Sequence, residues 1–163
     1  MTDVVLVMLL GGLKMKILKN EKSSNYSIII GCGRLGASLA NTLSDREENV
    51  LVIDRDKDSF RKLSPSFGGL TLTGDATDID VLHAAQIENA TVVISVTDND
   101  NTNIMVSQMA KELFKKEHVI ARLYDPEKGC VYGESGIDTI CPVLLSINEI
   151  SKLLRNANGE RME

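Results

Sequence analysis

Three glycines, an arginine and an aspartate carry most of the chemistry this chain could do. Gly31, Gly33 and Gly36 stand in G-x-G-x-x-G spacing, with Cys32, Arg34 and Leu35 between them, and Asp54 closes an apolar run further on. Gly31 can adopt backbone angles that a side chain would resist. Gly33 has no Cβ, so a phosphate can approach the main chain. Gly36 allows a helix to lie close against a strand. The first N–H groups of a helix have no acceptors within it, and with the helix dipole they form an anion site. A carboxylate at the position of Asp54 can accept hydrogen bonds from two ribose hydroxyls and would repel a 2′-phosphate. The chemistry is therefore non-covalent recognition of an adenosine ligand with free ribose hydroxyls, and not of NADP.

The flanking residues supply the elements that such a site needs. Ile28 to Ile30 is an apolar run before the glycines. Leu35, Leu39 and Leu43 recur at helical spacing after them, and Val50 to Ile53 is a second apolar run that ends in Asp54. Strand, glycine turn, helix, strand and acid form the dinucleotide-binding pattern in its required context. A glycine-rich turn without a ligand is the plainer reading, and the flanking strands with Asp54 weigh against it. Arg34 can clamp a phosphate with its forked guanidinium or can be a solvated helix-start residue.

The rest of the chain alternates in the same way. A short helix is expected over Asp58 to Leu63, and Ser64-Pro65 and Gly68-Gly69 break it. Leu70 to Thr73 reads as a third strand that ends in Gly74-Asp75-Ala76-Thr77. A helix containing Val81 and Leu82 follows. Thr91 to Val96 is the most β-like run and ends in Thr97-Asp98-Asn99-Asp100-Asn101. A longer helix is expected from about Asn101 to Lys116, with Ile104, Met105, Met109, Leu113 and Phe114 as its apolar positions. Val119 to Leu123 is a fifth strand. A helix over Glu127 to Glu134, a sixth strand over Asp138 to Ile140 and a helix from about Ser146 to Arg155 complete the pattern, before a polar tail to Glu163. The last helix carries the stripe Ile147, Ile150 and Leu154, which is either core or dimer surface.

Alternating strands and helices predict an α/β fold with a doubly wound, parallel, six-stranded sheet in the order 3-2-1-4-5-6. Residues 26–145 would form this nucleotide-binding unit, 146–163 a C-terminal helix and tail, and 1–25 an N-terminal extension. Ligands of such sheets sit beyond the carboxyl ends of the strands. The loops at 31–36, 54–55, 74–77 and 97–101 all fall at that edge.

Composition narrows the function classes. The chain has 163 residues, a formal charge of −5, 43% hydrophobic and 25% charged residues, and no tryptophan. That balance suits one globular domain with an aliphatic core, and the negative charge argues against general nucleic-acid binding. Cys32, Cys130 and Cys141 make no C-x-x-C pair and are a poor disulfide framework, so a reducing cytoplasm is the simplest location. Cys32 is either redox-sensitive beside a phosphate site or a small residue tolerated there. His83 and His118 lack metal-ligand spacing, so no metal is expected. The Asp98 to Asn101 loop is better read as helix capping than as a cation site. The apolar run Val4 to Leu10 is too short to cross a bilayer, and its lysines follow it rather than precede it as in a signal peptide. It is either a docking helix or a loose leader.

The ordered set IIIGCGRLG, VLVID, LTGDATD, VVISVTDNDNTN, VIARLYDP and GIDTICP resembles the RCK family, the regulators of K+ conductance also known as the Trk/Ktr N-terminal or TrkA-N domain. The resemblance runs from about Tyr26 to Leu154. It implies a non-enzymatic Rossmann domain in the cytoplasm that binds NAD(H), ATP or ADP, dimerises or forms a ring, and gates a separate membrane K+ transporter or channel subunit. That places it at the inner face of the membrane through its partner. By motif, Gly31, Gly33, Arg34 and Leu35 would meet the phosphates, Asp54 the ribose, Arg55 the adenosine, and Asp75 and Ala76 the adenine. Thr97 and Asp98 would line the mouth. The chain as given ends before a second ligand-binding lobe would fit. Two other readings compete: a free-standing NAD(H) sensor, and an NAD-dependent oxidoreductase. For the latter the chain offers no paired His/Asp arrangement.

Overall fold

The computed structural model of the chain describes residues 25–126 and 135–157. Residues 1–24 of the expected extension, the helix over 127–134 with Cys130, and the last six residues of the tail lie outside the described residues.

Runs of β-branched residues become the strands of a parallel sheet: β1 (Tyr26–Ile30), β2 (Asn49–Asp54), β3 (Leu70–Thr73), β4 (Val92–Ser95), β5 (His118–Arg122) and β6 (Asp138–Ile140). Their order is β3-β2-β1-β4-β5-β6, as the alternation predicts. Register aligns the ends that matter. Ile30 pairs with Ile53 on one side and with Ser95 on the other, so β1, β2 and β4 finish at one level. Hydrogen bonds continue past the strands, from Gly31 N to Ile53 O at 2.8 Å and from Val96 N to Ile30 O at 2.8 Å.

Alternation along β1 sends neighbouring side chains into two cores. Ile28 and Ile30 join Leu51, Ile53, Val93 and Leu82 on one face, while Ile29 joins Val52, Ile94, Ala37 and Ala40 on the other. Ile28, Ile29, Val52 and Val93 are fully buried. Each such side chain contributes about 1.5–3 kcal/mol of transfer free energy. Tyr26 ends in the first core with its hydroxyl donating to Ala85 O at 2.6 Å, and burial pushes its pKa up to about 12.

The helices depart from the expected stripes in an informative way. In α1 (Arg34–Asp45) the buried residues are Gly36, Ala37 and Ala40, while Leu39 and Leu43 are only partly buried and Leu35 is 42% exposed. The helix lies too close to the sheet for larger side chains: a Cβ on Gly36 would stand 1.9 Å from Gly31 O. After a 3-10 segment (Lys57–Lys62), α2 (Ile79–Ala84) buries Leu82. The expected long helix is two pieces, α3 (Asp100–Gln108) and a wider π-helical continuation (Met109–Leu113). Its inward face is Asn103, Ile104, Val106, Ser107 and Ala110, with Met109 and Phe114 packed partly buried against the core; of the expected apolar positions Met105 and Leu113 are instead 50% and 59% exposed. The last helix, α4 (Pro142–Ala157), starts at Pro142 rather than near Ser146. Proline is well suited to a first helical position, and Leu145 N donates to Cys141 O at 3.1 Å. No residue of α4 is buried, and Ile147, Ile150 and Leu154 are all more than half exposed. Among the described residues no helix is long and apolar enough to cross a membrane.

Candidate functional site

The loops at the carboxyl edge of the sheet enclose a cleft of about 460 Å³. Its floor is the glycine turn. Gly31 has φ +100°, and a Cβ there would come within 2.9 Å of Thr97 N and Cα, so only glycine lets the β1 and β4 loops approach this closely. Gly33 caps α1 without any side-chain cap, and an added Cβ there would meet nothing within 4 Å. The first intrahelical bond is Ala37 N to Gly33 O at 2.9 Å. The N–H groups of Arg34, Leu35 and Gly36 therefore have no acceptor in the helix, and the open space over Gly33 lies in front of them.

Asp54 ties the two sides of this turn together. Its Oδ2 accepts from Cys32 N at 2.6 Å and its Oδ1 from Asp56 N at 2.9 Å. The carboxylate is thus held at the tip of β2 by two backbone amides, and each oxygen keeps acceptor capacity for a further donor. Arg55 pairs with Asp75 at 3.6 Å across the β2 and β3 ends. Asp75 also accepts from Thr77 Oγ1 at 2.7 Å and Thr77 N at 2.9 Å. These Thr77 bonds, the hydroxyl foremost, hold the Asp75 pKa below the ordinary aspartate value, and Arg55 adds to the effect. The cap of α2 is Asp78, whose side chain accepts from Asp80 N, so Asp75 shapes the preceding turn and leaves the capping to Asp78.

Ten of the twelve residues singled out by sequence line this one cleft: Gly31, Gly33, Arg34 and Leu35 at the turn, Asp54 and Arg55 after β2, Asp75 and Ala76 after β3, and Thr97 and Asp98 after β4. Cys32 and Gly36 do not line it. The Cys32 side chain is fully buried in the second core, where only its amide serves the site, and burial, with the Asp54 carboxylate second, pushes its thiol pKa up. Gly36 is spent on the contact between α1 and β1.

Sequence reading missed the far wall. Asn103 is fully buried at the start of α3, where its Oδ1 accepts from Thr97 Oγ1 at 2.7 Å, Thr97 N at 2.9 Å and Ser95 Oγ at 3.1 Å. Its Nδ2 donates to Arg122 O at 2.8 Å and Thr97 O at 3.0 Å. One side chain therefore clasps the ends of β4 and β5. Arg122 and Tyr124 also line the cleft, as do Ser59 and Lys62 at the opposite end. The available signal for Asn103 was its place one helical turn before Val106 and Ser107, on the face turned to the sheet. Asn99 caps α3 by accepting from Thr102 N at 2.9 Å, and Asp100 accepts from Tyr124 N at 2.9 Å, so the polar loop fastens the fold. Among the described residues no cluster of three or more His, Cys, Asp or Glu could hold a metal ion.

Comparison with known proteins agrees with the fold. The family model of the TrkA-N domain matches residues 27–142. The Trk system potassium uptake protein TrkA of Streptomyces coelicolor is 41% identical over 135 residues, which covers 83% of this chain and 60% of that protein. The chain thus spans about three fifths of the length of this relative. Among solved structures, the TrkA-N domain of inner membrane protein ybaL from Escherichia coli superposes with a TM-score of 0.72 at 19% identity, covering 82% of this chain and 99% of that one. The GsuK channel bound to NAD gives a TM-score of 0.62 at 21% identity, over 77% of this chain and 22% of the channel chain. The chain belongs to the TrkA-N domain family.

Proposed function

We propose that this domain is a cytoplasmic regulatory element of a K+ uptake system or channel, and that it senses an adenine nucleotide with free ribose hydroxyls, NAD(H) or ATP/ADP. The observation that carries the reading is the uncapped start of α1 facing open space over Gly33, beside an Asp54 carboxylate fixed by two amides. Phosphates would sit on Gly31, Gly33, Arg34 and Leu35. The ribose would bond to Asp54, and the adenosine would lie along Arg55, Asp75 and Ala76, with Thr97 and Asp98 at the mouth. Asp54 disfavours NADP. The relationship to a TrkA of K+ uptake and the likeness to a channel with bound NAD support this reading.

The partner would be a separate membrane K+ transporter or channel subunit at the inner face of the membrane. Self-association into a dimer or ring would cover the exposed apolar face of α4, where Leu145, Leu153 and Leu154 are 59–60% exposed. The ligand would act by population shift, binding one arrangement of the assembly better than another. Calorimetry with NAD, NADH, ATP, ADP and NADP tests the reading. It predicts saturable binding of at least one of the first four and weaker binding of NADP. Absence of binding by all of them, or preference for NADP, would refute it.

A further inference from the structure

A second groove lies at the opposite, amino edge of the sheet. Its volume is about 480 Å³, close to that of the nucleotide cleft. The groove crosses four strands. Glu48 stands just before β2 at one end, and Glu117 stands just before β5 at the other. Between them lie Ser27 of β1 and Val92 of β4, which pair in register, and Val92 pairs in turn with His118 at the start of β5. β2 and β5 are separated by β1 and β4, three strand spacings or about 14 Å across the sheet. Ala90 and Val92 give the middle of the groove an apolar floor.

The lysines around this groove are already engaged, and its two carboxylates are not. Lys116 Nζ donates to Glu88 O at 2.6 Å and to Ala90 O at 3.0 Å. Lys115 pairs with Glu112 at 3.7 Å, and Lys111 Nζ donates to Glu117 O at 3.0 Å. Among the described residues no ion pair holds the carboxylate of Glu48 or Glu117. Ser27 is only 3% exposed, and its hydroxyl has no hydrogen-bond partner among the described residues. A nearly buried hydroxyl left unpaired is costly, and the groove is the side from which a donor can reach it. Two acids at the ends, a bare hydroxyl between them and an apolar floor match one chemical class. We propose that the groove binds a linear aliphatic polyamine. Its terminal ammonium groups meet Glu48 and Glu117 in charge-assisted hydrogen bonds. Its methylene segments lie on Ala90 and Val92, and an inner ammonium donates to Ser27 Oγ. A short diamine cannot reach from one carboxylate to the other. The site is separate from the nucleotide cleft and stands whether or not nucleotides bind there.

The test is calorimetry of spermidine and putrescine at fixed ionic strength, on the full chain and on Glu48→Gln, Glu117→Gln and Ser27→Ala. Glu149→Gln, on the exposed face of α4, is the control for diffuse attraction to a chain of net charge −5. Spermidine is expected to bind saturably at one site and putrescine more weakly. Each Gln variant in the groove should weaken spermidine about tenfold, the scale of a lost charge-assisted hydrogen bond, and Glu149→Gln should leave it unchanged. Ser27→Ala should weaken spermidine several-fold with no loss of melting temperature, because the hydroxyl has no partner within the described fold to lose. A wild-type chain that does not bind spermidine overturns the proposal. So does unchanged affinity in both folded Gln variants of the groove, and so does an equal loss in Glu149→Gln, which would mark general charge screening.

Discussion

Replacement of Asn103 is the sharpest test of how the site is supported. In Asn103→Leu the side chain keeps its approximate volume but loses all five hydrogen bonds. Thr97 O keeps the Arg122 guanidinium, and Thr97 N and Oγ1 are half-buried at the cleft, where water can replace the lost amide. Ser95 Oγ and Arg122 O have no such relief, since Ser95 is fully buried and the Arg122 carbonyl faces α3. Two buried polar groups left unpaired at about 1–3 kcal/mol each give a loss of about 4 kcal/mol. Equilibrium urea unfolding reads this as a lower midpoint at unchanged slope. Asn103→Asp keeps the acceptors but turns a carboxylate toward the Thr97 and Arg122 carbonyls. It is expected to cost at least as much at neutral pH and to recover in part once the new acid is protonated and has an O–H to donate. A loss below about 1 kcal/mol in Asn103→Leu would refute the clasp as a structural support.

Other perturbations separate packing from binding. Gly36→Ala places a methyl 1.9 Å from Gly31 O and is expected to destabilise the fold by about 3 kcal/mol or more, read by thermal or urea unfolding. Gly33→Ala meets nothing within 4 Å, so its stability should stay within about 1 kcal/mol while nucleotide affinity falls because the methyl occupies the phosphate approach. Asp75 has a lowered pKa, so its contribution to stability is present above the ordinary aspartate value and is lost as pH falls through the lowered one. Thr77→Val should bring that pKa back up toward the ordinary value in a carboxyl-carbon NMR titration, with only a modest change in stability because the Asp75 side chain is 44% exposed. The double variant Ile150→Glu, Leu153→Glu should dissociate the assembly in sedimentation and lower the melting temperature only to that of the wild-type chain diluted to monomer, since neither residue is buried in the single chain. A wild-type chain that sediments as a monomer would remove the basis for that assembly.

Much of this was legible because parallel strands buried on both faces read as unbroken apolar runs. Ile28 to Ile30 and Val50 to Ile53 became such strands where expected, Leu70 to Thr73 formed the alternating, less buried edge strand, and the right-handed crossover rule ordered them. The glycine turn was legible because each glycine answers a different steric demand. Helix faces were read less well. Close approach of α1 to the sheet selects Gly36, Ala37 and Ala40 for the interface, so counting leucines pointed at the wrong rows. In α3 a polar clasp, Asn103, occupies a core position that hydrophobic periodicity cannot flag. Arg122 and Tyr124 lie far along the chain from the glycine loop, and only the placement of β5 next to β4 brings them to the cleft.

The central claim is that Asp54 and the start of α1 together hold an adenosine ligand. Calorimetry of ADP and NADH with Asp54→Ala against the wild-type chain tests it most directly. Losing the acceptor for two ribose hydroxyls should weaken both ligands about tenfold or more, with the protein still folded by circular dichroism. Unchanged affinity for both in a folded Asp54→Ala variant would contradict the account.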